Sequence, residues 1–422
     1  MSVPAPSEGD TAKNAAGAPS PPLADEFALY RKLVPLVERP DVLYLDSASQ
    51  PPSNLIVANA LNQYTHDHLH NPNAKNVWKE AAEDLRGLLG RYINADPEDI
   101  AITSDTTEAG GCFTHSLDLK PGDNVVVVDS EFPHLPYTFL TLRERGIEVR
   151  QIPTIPEAER TGQVTAFNAD TFRPYVDDRT RCIGISTIMF HSGQWNDVAA
   201  IAAEYRPRGI HVFADVTQQI GFAALDVKAL GVSAAGFSFF KGFASPRGIA
   251  ALYVDREVVR ELRAPPIASG RGVANARADR LVPPDEVVYY PNARRFEHEN
   301  LNYAGAVAAK AWLSFYLDTI GPQKLEAHLH ALGDALRATA AELSIRVVGP
   351  EDRAQHAPHL YILELLDPGW KAYLEAQGVW ITHYRLGVRV AFHFYNNLAD
   401  VERLGRVLEM GLQSGLSRHA AN

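Results

Sequence analysis

Apolar residues recur at helical spacing between Val77 and Ile93 (Trp78, Leu85, Leu88, Leu89, Tyr92), and Asp96-Pro97 then opens a turn. Beyond it the pattern alternates. Apolar runs predict strands at Asp99–Thr103, Asn124–Val128, Val149–Ile152, Cys182–Ser186, His211–Ala214, Ala235–Phe240 and Ala250–Val254. Helical stretches are predicted between several of them, at Thr107–Ser116, Thr138–Arg145 and Val198–Tyr205. Such βαβ alternation predicts an α/β domain whose largely parallel central sheet is covered on both faces.

Past Asn302 the pattern changes to long helices at Ala304–Leu317 and Gln323–Leu343. Strands follow at Arg346–Val348, His359–Leu365 and Val388–His393, then a last helix at Ala399–Leu412. This predicts a smaller α+β C-terminal domain. Residues 1–24 are rich in Ala, Pro, Ser and Gly, too poor in large apolar side chains to fold, and are expected to be a disordered tail. The expected division is therefore 1–24 tail, 25–64 an N-terminal segment associated with the small domain, 65–302 the large domain and 303–422 the small one. A chain of 422 residues is long enough for both.

Composition narrows the partners. The formal net charge of −11 argues against nucleic acid or an anionic membrane as the main partner. There is no run of 18 apolar residues, and the N-terminus lacks a basic region followed by an apolar one, so a cytoplasmic protein is expected. The two cysteines, Cys112 and Cys182, lie among apolar or small residues and are expected to be buried thiols, with no disulfide framework and no metal site.

The chemistry lies in an ordered set of short motifs. Lys241 follows the strand Ala235–Phe240, which puts an amine beside the crevice at the carboxyl end of the sheet. Desolvation there lowers its pKa and makes it a better nucleophile toward an aldehyde. Asp215 ends the strand His211–Ala214, where a carboxylate can pair with a pyridine nitrogen or simply cap a helix. Gln218 is three residues further on. The run Ser104 to Glu108 joins a strand to a helix; Thr106 and Thr107 with the helix N–H groups form a phosphate cradle or a plain capping box, and Ser238 can add a donor. His134 follows the strand Asn124–Val128 in a predicted loop, where its ring can stack on a flat cofactor or move a proton. Arg389 sits inside an apolar strand and needs a carboxylate partner, either a substrate's or one within the chain.

Together these residues resemble the fold-type I, class-V aminotransferase superfamily, nearest in pattern to the cysteine desulfurases, over about residues 40 to 415. Leu45-Asp46-Ser47-Ala48-Ser49, Thr106-Thr107-Glu108, Asp215 with Gln218, Ser238 with Lys241, Arg295-Phe296-Glu297, Asn302, and Arg389 with Tyr395-Asn396 all match its motifs. The resemblance implies pyridoxal 5′-phosphate (PLP) bonded to Lys241 and held by Thr106, Thr107, His134, Asp215, Gln218 and Ser238. It also implies catalysis by Lys241 and His134, an amino-acid substrate held by Arg389 and Asn302, and a homodimer; Phe190 and Tyr384 are further candidates for contact with the substrate.

The departures bear on function. Desulfurases carry a persulfide-forming cysteine on a loop before the carboxylate-binding arginine, and here Val379 to Gly387 has none. Phe240 replaces a usual histidine and Phe190 a usual asparagine, and Trp195, Tyr137, Trp380 and Tyr384 are expected to extend an aromatic wall. The leading expectation is a PLP-dependent C–S lyase that acts on an S-substituted cysteine by β-elimination, in specialised metabolism. Transamination, epimerisation and oxidative decarboxylation stay open, and a non-catalytic sensor is the remote alternative.

Overall fold

A computed structural model describes residues 23–161, 163–277 and 285–419. The expected tail lies outside these residues except for its last two positions, which begin the helix Leu23–Arg31.

Seven strands build the large sheet: β1 (Ile100–Thr103), β2 (Asn124–Val128), β3 (Glu148–Ile152), β4 (Thr180–Ser186), β5 (His211–Asp215), β6 (Ala234–Ser238) and β7 (Ala250–Val254). Their spatial order is β1-β7-β6-β5-β4-β2-β3, and β7 alone runs antiparallel to its neighbours. The apolar runs are continuous because both faces are covered. Val126, Val128, Ile183, Ile185 and Val212 enter one buried cluster, while Val125, Val127, Cys182 and Phe213 enter the other.

The main helices are α1 (Leu55–His70), α2 (Ala74–Ile93), α3 (Thr106–Ser116), α4 (His134–Leu140), α5 (Tyr303–Phe315), α6 (Pro322–Glu342) and α7 (Leu398–Gln413). The pair α1 and α5, and the pair α2 and α5, pack together. Helix α1 runs unbroken through residue 64, so the expected boundary at 64/65 is no break in the backbone. The predicted helix Thr138–Arg145 is instead α4 followed by a 3-10 turn, Thr141–Arg145.

The C-terminal part carries a four-stranded antiparallel sheet of β8 (Val347–Val348), β9 (Leu360–Leu363), β10 (Thr382–Tyr384) and β11 (Gly387–Ala391), ordered β10-β11-β9-β8. Near the chain's start, Leu43–Tyr44 pairs in parallel with Val379–Trp380, and Asp46 bridges to Ala391. The N-terminal segment is thereby tied to the C-terminal sheet. Among the described residues, no helix is long and apolar enough to cross a membrane, and no group of three or more His, Cys, Asp or Glu is placed to hold a metal.

Candidate active site

The strands β1, β5 and β6 deliver their following residues to one crevice, and β11 closes it from the C-terminal sheet. The result is a cavity of about 320 Å³ lined by Thr106, Thr107, His134, Asp215, Gln218, Ser238, Lys241, Phe190, Tyr384 and Arg389. All but one of the site residues expected from the sequence therefore meet there.

Asn302 is the exception. Its side chain is occupied as the cap of α5: Gly305 N–H donates to its Oδ1 at 2.9 Å, and its Nδ2 donates to Gly248 O at 3.0 Å. Of the other expected wall aromatics, Tyr137 and Trp380 are half or more exposed and Trp195 packs on a separate apolar cluster. Phe190, Tyr384 and Phe240 face the cavity.

Lys241 emerges three residues after β6. Its Nζ lies 5.5 Å from the Phe132 ring centroid and 5.6 Å from that of Phe240. Burial pushes its pKa down to about 8, and the nearby Asp215 carboxylate offsets this only in part. Asp215 is the last residue of β5; its Oδ1 accepts from Thr217 N–H at 2.9 Å, which fixes the carboxylate. His134 opens α4, not a loop, and its Nε2 is 3.4 Å from Asp215 Oδ2 without hydrogen-bond alignment. Gln218 is held from both ends: its Nε2 donates to Ala48 O at 3.0 Å, and His359 Nε2 stands 3.4 Å from its Oε1.

At the start of α3, Asp105 caps the helix by accepting from Glu108 N–H at 2.7 Å. Three buried hydroxyls gather beside it. Thr106 Oγ1 is 2.9 Å from Thr217 Oγ1 and 2.7 Å from Ser238 Oγ, and Ser238 Oγ also accepts from Thr106 N–H at 3.0 Å. A helix N-terminus with clustered hydroxyls favours an anion.

Arg389 is 1% exposed. Its Nη2 donates to Asp46 Oδ1 at 3.0 Å, its Nη1 donates to Phe190 O at 3.1 Å, and its Cζ lies 4.8 Å from the Tyr384 ring centroid. The internal ion pair foreseen as one alternative thus exists, yet Nε has no partner, so a donor remains for a second carboxylate.

Sequence reasoning passed over four residues. Phe132 and Arg247 line the cavity, and the Arg247 guanidinium stacks 4.2 Å from the Phe240 ring centroid. His359 is buried against Phe222, ring centroids 3.9 Å apart, and burial holds it well below its usual range. Glu131 is buried behind Ser186, which donates to it from N–H at 2.6 Å and from Oγ at 2.5 Å; burial pushes its pKa up to about 7. Only Glu131 and Phe132 carried a signal, as neighbours of His134 just after β2.

This donor set fits PLP. The amine of Lys241 suits its aldehyde, the fixed Asp215 carboxylate its ring nitrogen, and the helix start with its hydroxyls its phosphate. The unpartnered buried Arg389 Nε and His134 Nε2 mark polar capacity that the chain itself leaves unused.

Known proteins agree with this assignment. The family model "Aminotransferase class-V" matches residues 43–404. An uncharacterized aminotransferase of Schizosaccharomyces pombe is 40% identical over 91% of this chain and 95% of its own. A probable cysteine desulfurase of Methanothermobacter thermautotrophicus is 28% identical over 90% of this chain and 96% of its own. Among solved structures, the cystine C-S lyase C-DES in complex with its product cysteine persulfide superposes with a TM-score of 0.77 at 20% identity, covering 88% of this chain and 98% of that one.

Proposed function

Since this chain belongs to the class-V aminotransferase family, whose cofactor is PLP, we propose that it cleaves the C–S bond of an S-substituted cysteine by β-elimination. The observation that carries this reading is the placement of the thiols. The chain has two cysteines, one in α3 and one in β4, both buried. Burial pushes the Cys112 thiol up to about 12 and Cys182 higher still. The stretch before Arg389 contains no cysteine. Persulfide formation needs a thiolate that reaches the substrate sulfur. Elimination needs only a base at Cα and a thiolate that departs from Cβ, and the cystine C-S lyase carries C–S cleavage on the same fold.

When bound, PLP supplies an electron sink for charge at the substrate Cα. Thr106, Thr107 and Ser238 would hold its phosphate, Asp215 would hold a proton on its ring nitrogen, Gln218 would meet its phenolic oxygen, and His134 would cover its ring. Lys241 would bond its aldehyde and, once released, take the Cα proton at Nζ; a pKa near 8 leaves a usable share of free amine at neutral pH. Arg389 would hold the substrate carboxylate. Phe132, Phe190 and Phe240 limit the water around these groups.

In the net reaction the Cα–H and Cβ–S bonds break and the thiolate gains a proton. One water converts the three-carbon remainder into pyruvate and ammonium. PLP-loaded protein incubated with a series of S-substituted cysteines, without added keto acid, is expected to release thiol, pyruvate and ammonia in equal amounts. Turnover that requires a keto acid would instead identify transamination, the activity named for the Schizosaccharomyces pombe relative. No pyruvate from any member of the series would overturn the lyase reading.

A further inference from the structure

Beside the cofactor cavity lies a second, larger chamber of about 550 Å³, formed between the loop after β2, the segment after β3, the stretch after β4 and the turn between β10 and β11. Its walls include Ile152, Ile155, Ala158, Val164, Phe167 and Leu386, so it is mainly apolar. Small-molecule sites occupy roughly 300–1,000 Å³, which places it in the range for a bulky organic group.

The two spaces share a partition. Phe190 and Tyr384 line both of them, with ring centroids 5.7 Å apart, and Phe132 packs edge-on against Phe190 at 5.1 Å from the cavity side. The carboxylate anchor is built on this partition, because Arg389 bonds Phe190 O and lies over Tyr384. A substrate carboxylate held by Arg389 therefore places Cα beside the partition, and a long side chain has the chamber directly beyond it.

Several polar groups stand in the chamber wall, and the chain itself engages most of them: Asp129 Oδ1 accepts from Thr154 and Ile155 N–H, and Glu157 pairs with Arg160. His191 has a buried Nδ1 without a partner, and burial lowers its pKa to about 4, so the ring is neutral. Glu131 has its carboxylate oxygens occupied by Ser186 and by Phe132 N–H. A neutral histidine with a free nitrogen has room for one hydrogen bond.

We propose that this chamber is the side-chain subsite, and that the substrate is an amino acid with a bulky, mainly apolar substituent bearing one hydrogen-bonding group that meets His191 Nδ1. The sulfur linkage of that substituent rests on the proposed C–S cleavage; the location of the substituent does not.

The test uses (benzylthio)acetate, which has a carboxylate and a bulky thioether but no amine and so cannot react, beside (methylthio)acetate as its small counterpart. Calorimetric titration of PLP-loaded protein is expected to show the benzyl probe binding at least about tenfold more tightly. Ala158→Trp and, independently, Ile155→Trp fill the chamber and should abolish that preference, with the visible absorption of bound PLP reporting an intact cofactor site in each. A pyridylmethyl probe should gain over the benzyl probe in the parent protein and lose that gain in His191→Phe. Equal affinity for the benzyl and methyl probes, or a preference that survives both tryptophan variants in folded, PLP-loaded protein, overturns the subsite. A pyridyl gain that persists in His191→Phe overturns the histidine contact. If the benzyl preference holds but no S-substituted cysteine yields pyruvate, the chamber stands and the C–S cleavage falls.

Discussion

An amine bonds an aldehyde only after it has lost its proton, so the environment of one nitrogen sets the pH at which this protein can take up its cofactor. In the cofactor-free protein the Lys241 pKa near 8 means that most molecules carry a charged Nζ at neutral pH. The rate of covalent PLP uptake, followed by its visible absorption, should rise about tenfold per pH unit up to neutrality and level off above about 8. An uptake rate flat between pH 6 and 8 would contradict this, and Lys241→Ala should show no lysine-bound absorption at any pH. Glu131 has the opposite polarity. Its pKa, raised from 4.5 to about 7, means that the folded protein holds a proton that the unfolded chain releases, so stability should fall as pH rises from about 4.5 through 7. Glu131→Gln removes this term, so thermal denaturation should show the parent protein losing ground to the variant between pH 5 and 8. The sequence made Lys241 and Asp215 legible, because each directly follows an apolar run. Arg247 and His359 were not, because their roles arise from contacts with residues far away in the chain.

At the level of elements, Lys241 is aimed by a contact between two turns. Gly221 has a positive φ of 74°, and a Cβ on Gly242 would lie 1.9 Å from Ile220 O, so only glycine lets these backbones meet. Gly242→Ala should displace the following turn, cost about 1–3 kcal/mol in stability and weaken PLP retention on dialysis. A variant with unchanged stability and full retention would show that the turns can separate freely. The strands of the large sheet were readable because both faces are buried, leaving unbroken apolar runs. Helix α1 escaped notice because Val57 is its only fully buried residue, so it shows no apolar stripe of helical period. The start of α4 was also hidden: Pro133 and Pro136 flank His134 and read as loop residues, whereas Pro133 sits at the cap and Pro136 falls within the first turn, where no N–H bond is lost.

At the scale of the whole molecule, the large sheet supplies the residues expected to hold the cofactor, and the C-terminal sheet supplies Arg389, the proposed carboxylate anchor, so the two should fail separately. Arg389→Ala should raise KM for the amino acid about tenfold to a hundredfold while bound PLP keeps its visible absorption. Loss of PLP in that variant would mean that the anchor also holds the cofactor site together. We also expect a homodimer, on the strength of the family resemblance, and sedimentation at the mass of a single chain would refute it. The α/β class and the α+β C-terminal part followed from the change of pattern at Asn302. The joining of the chain's start to its end did not, since no local pattern announces that Leu43–Tyr44 pairs with Val379–Trp380.

That joining also sets an order in time. By the time Lys241 is synthesised, every residue expected to hold the cofactor is already in the chain, but Asp46 still awaits an arginine 343 positions downstream of it. At ~5–20 residues per second, the ribosome needs roughly 7–30 s more to reach Arg389. A growing chain thus contains every residue expected to hold the cofactor well before it contains Arg389, the residue proposed to hold the substrate.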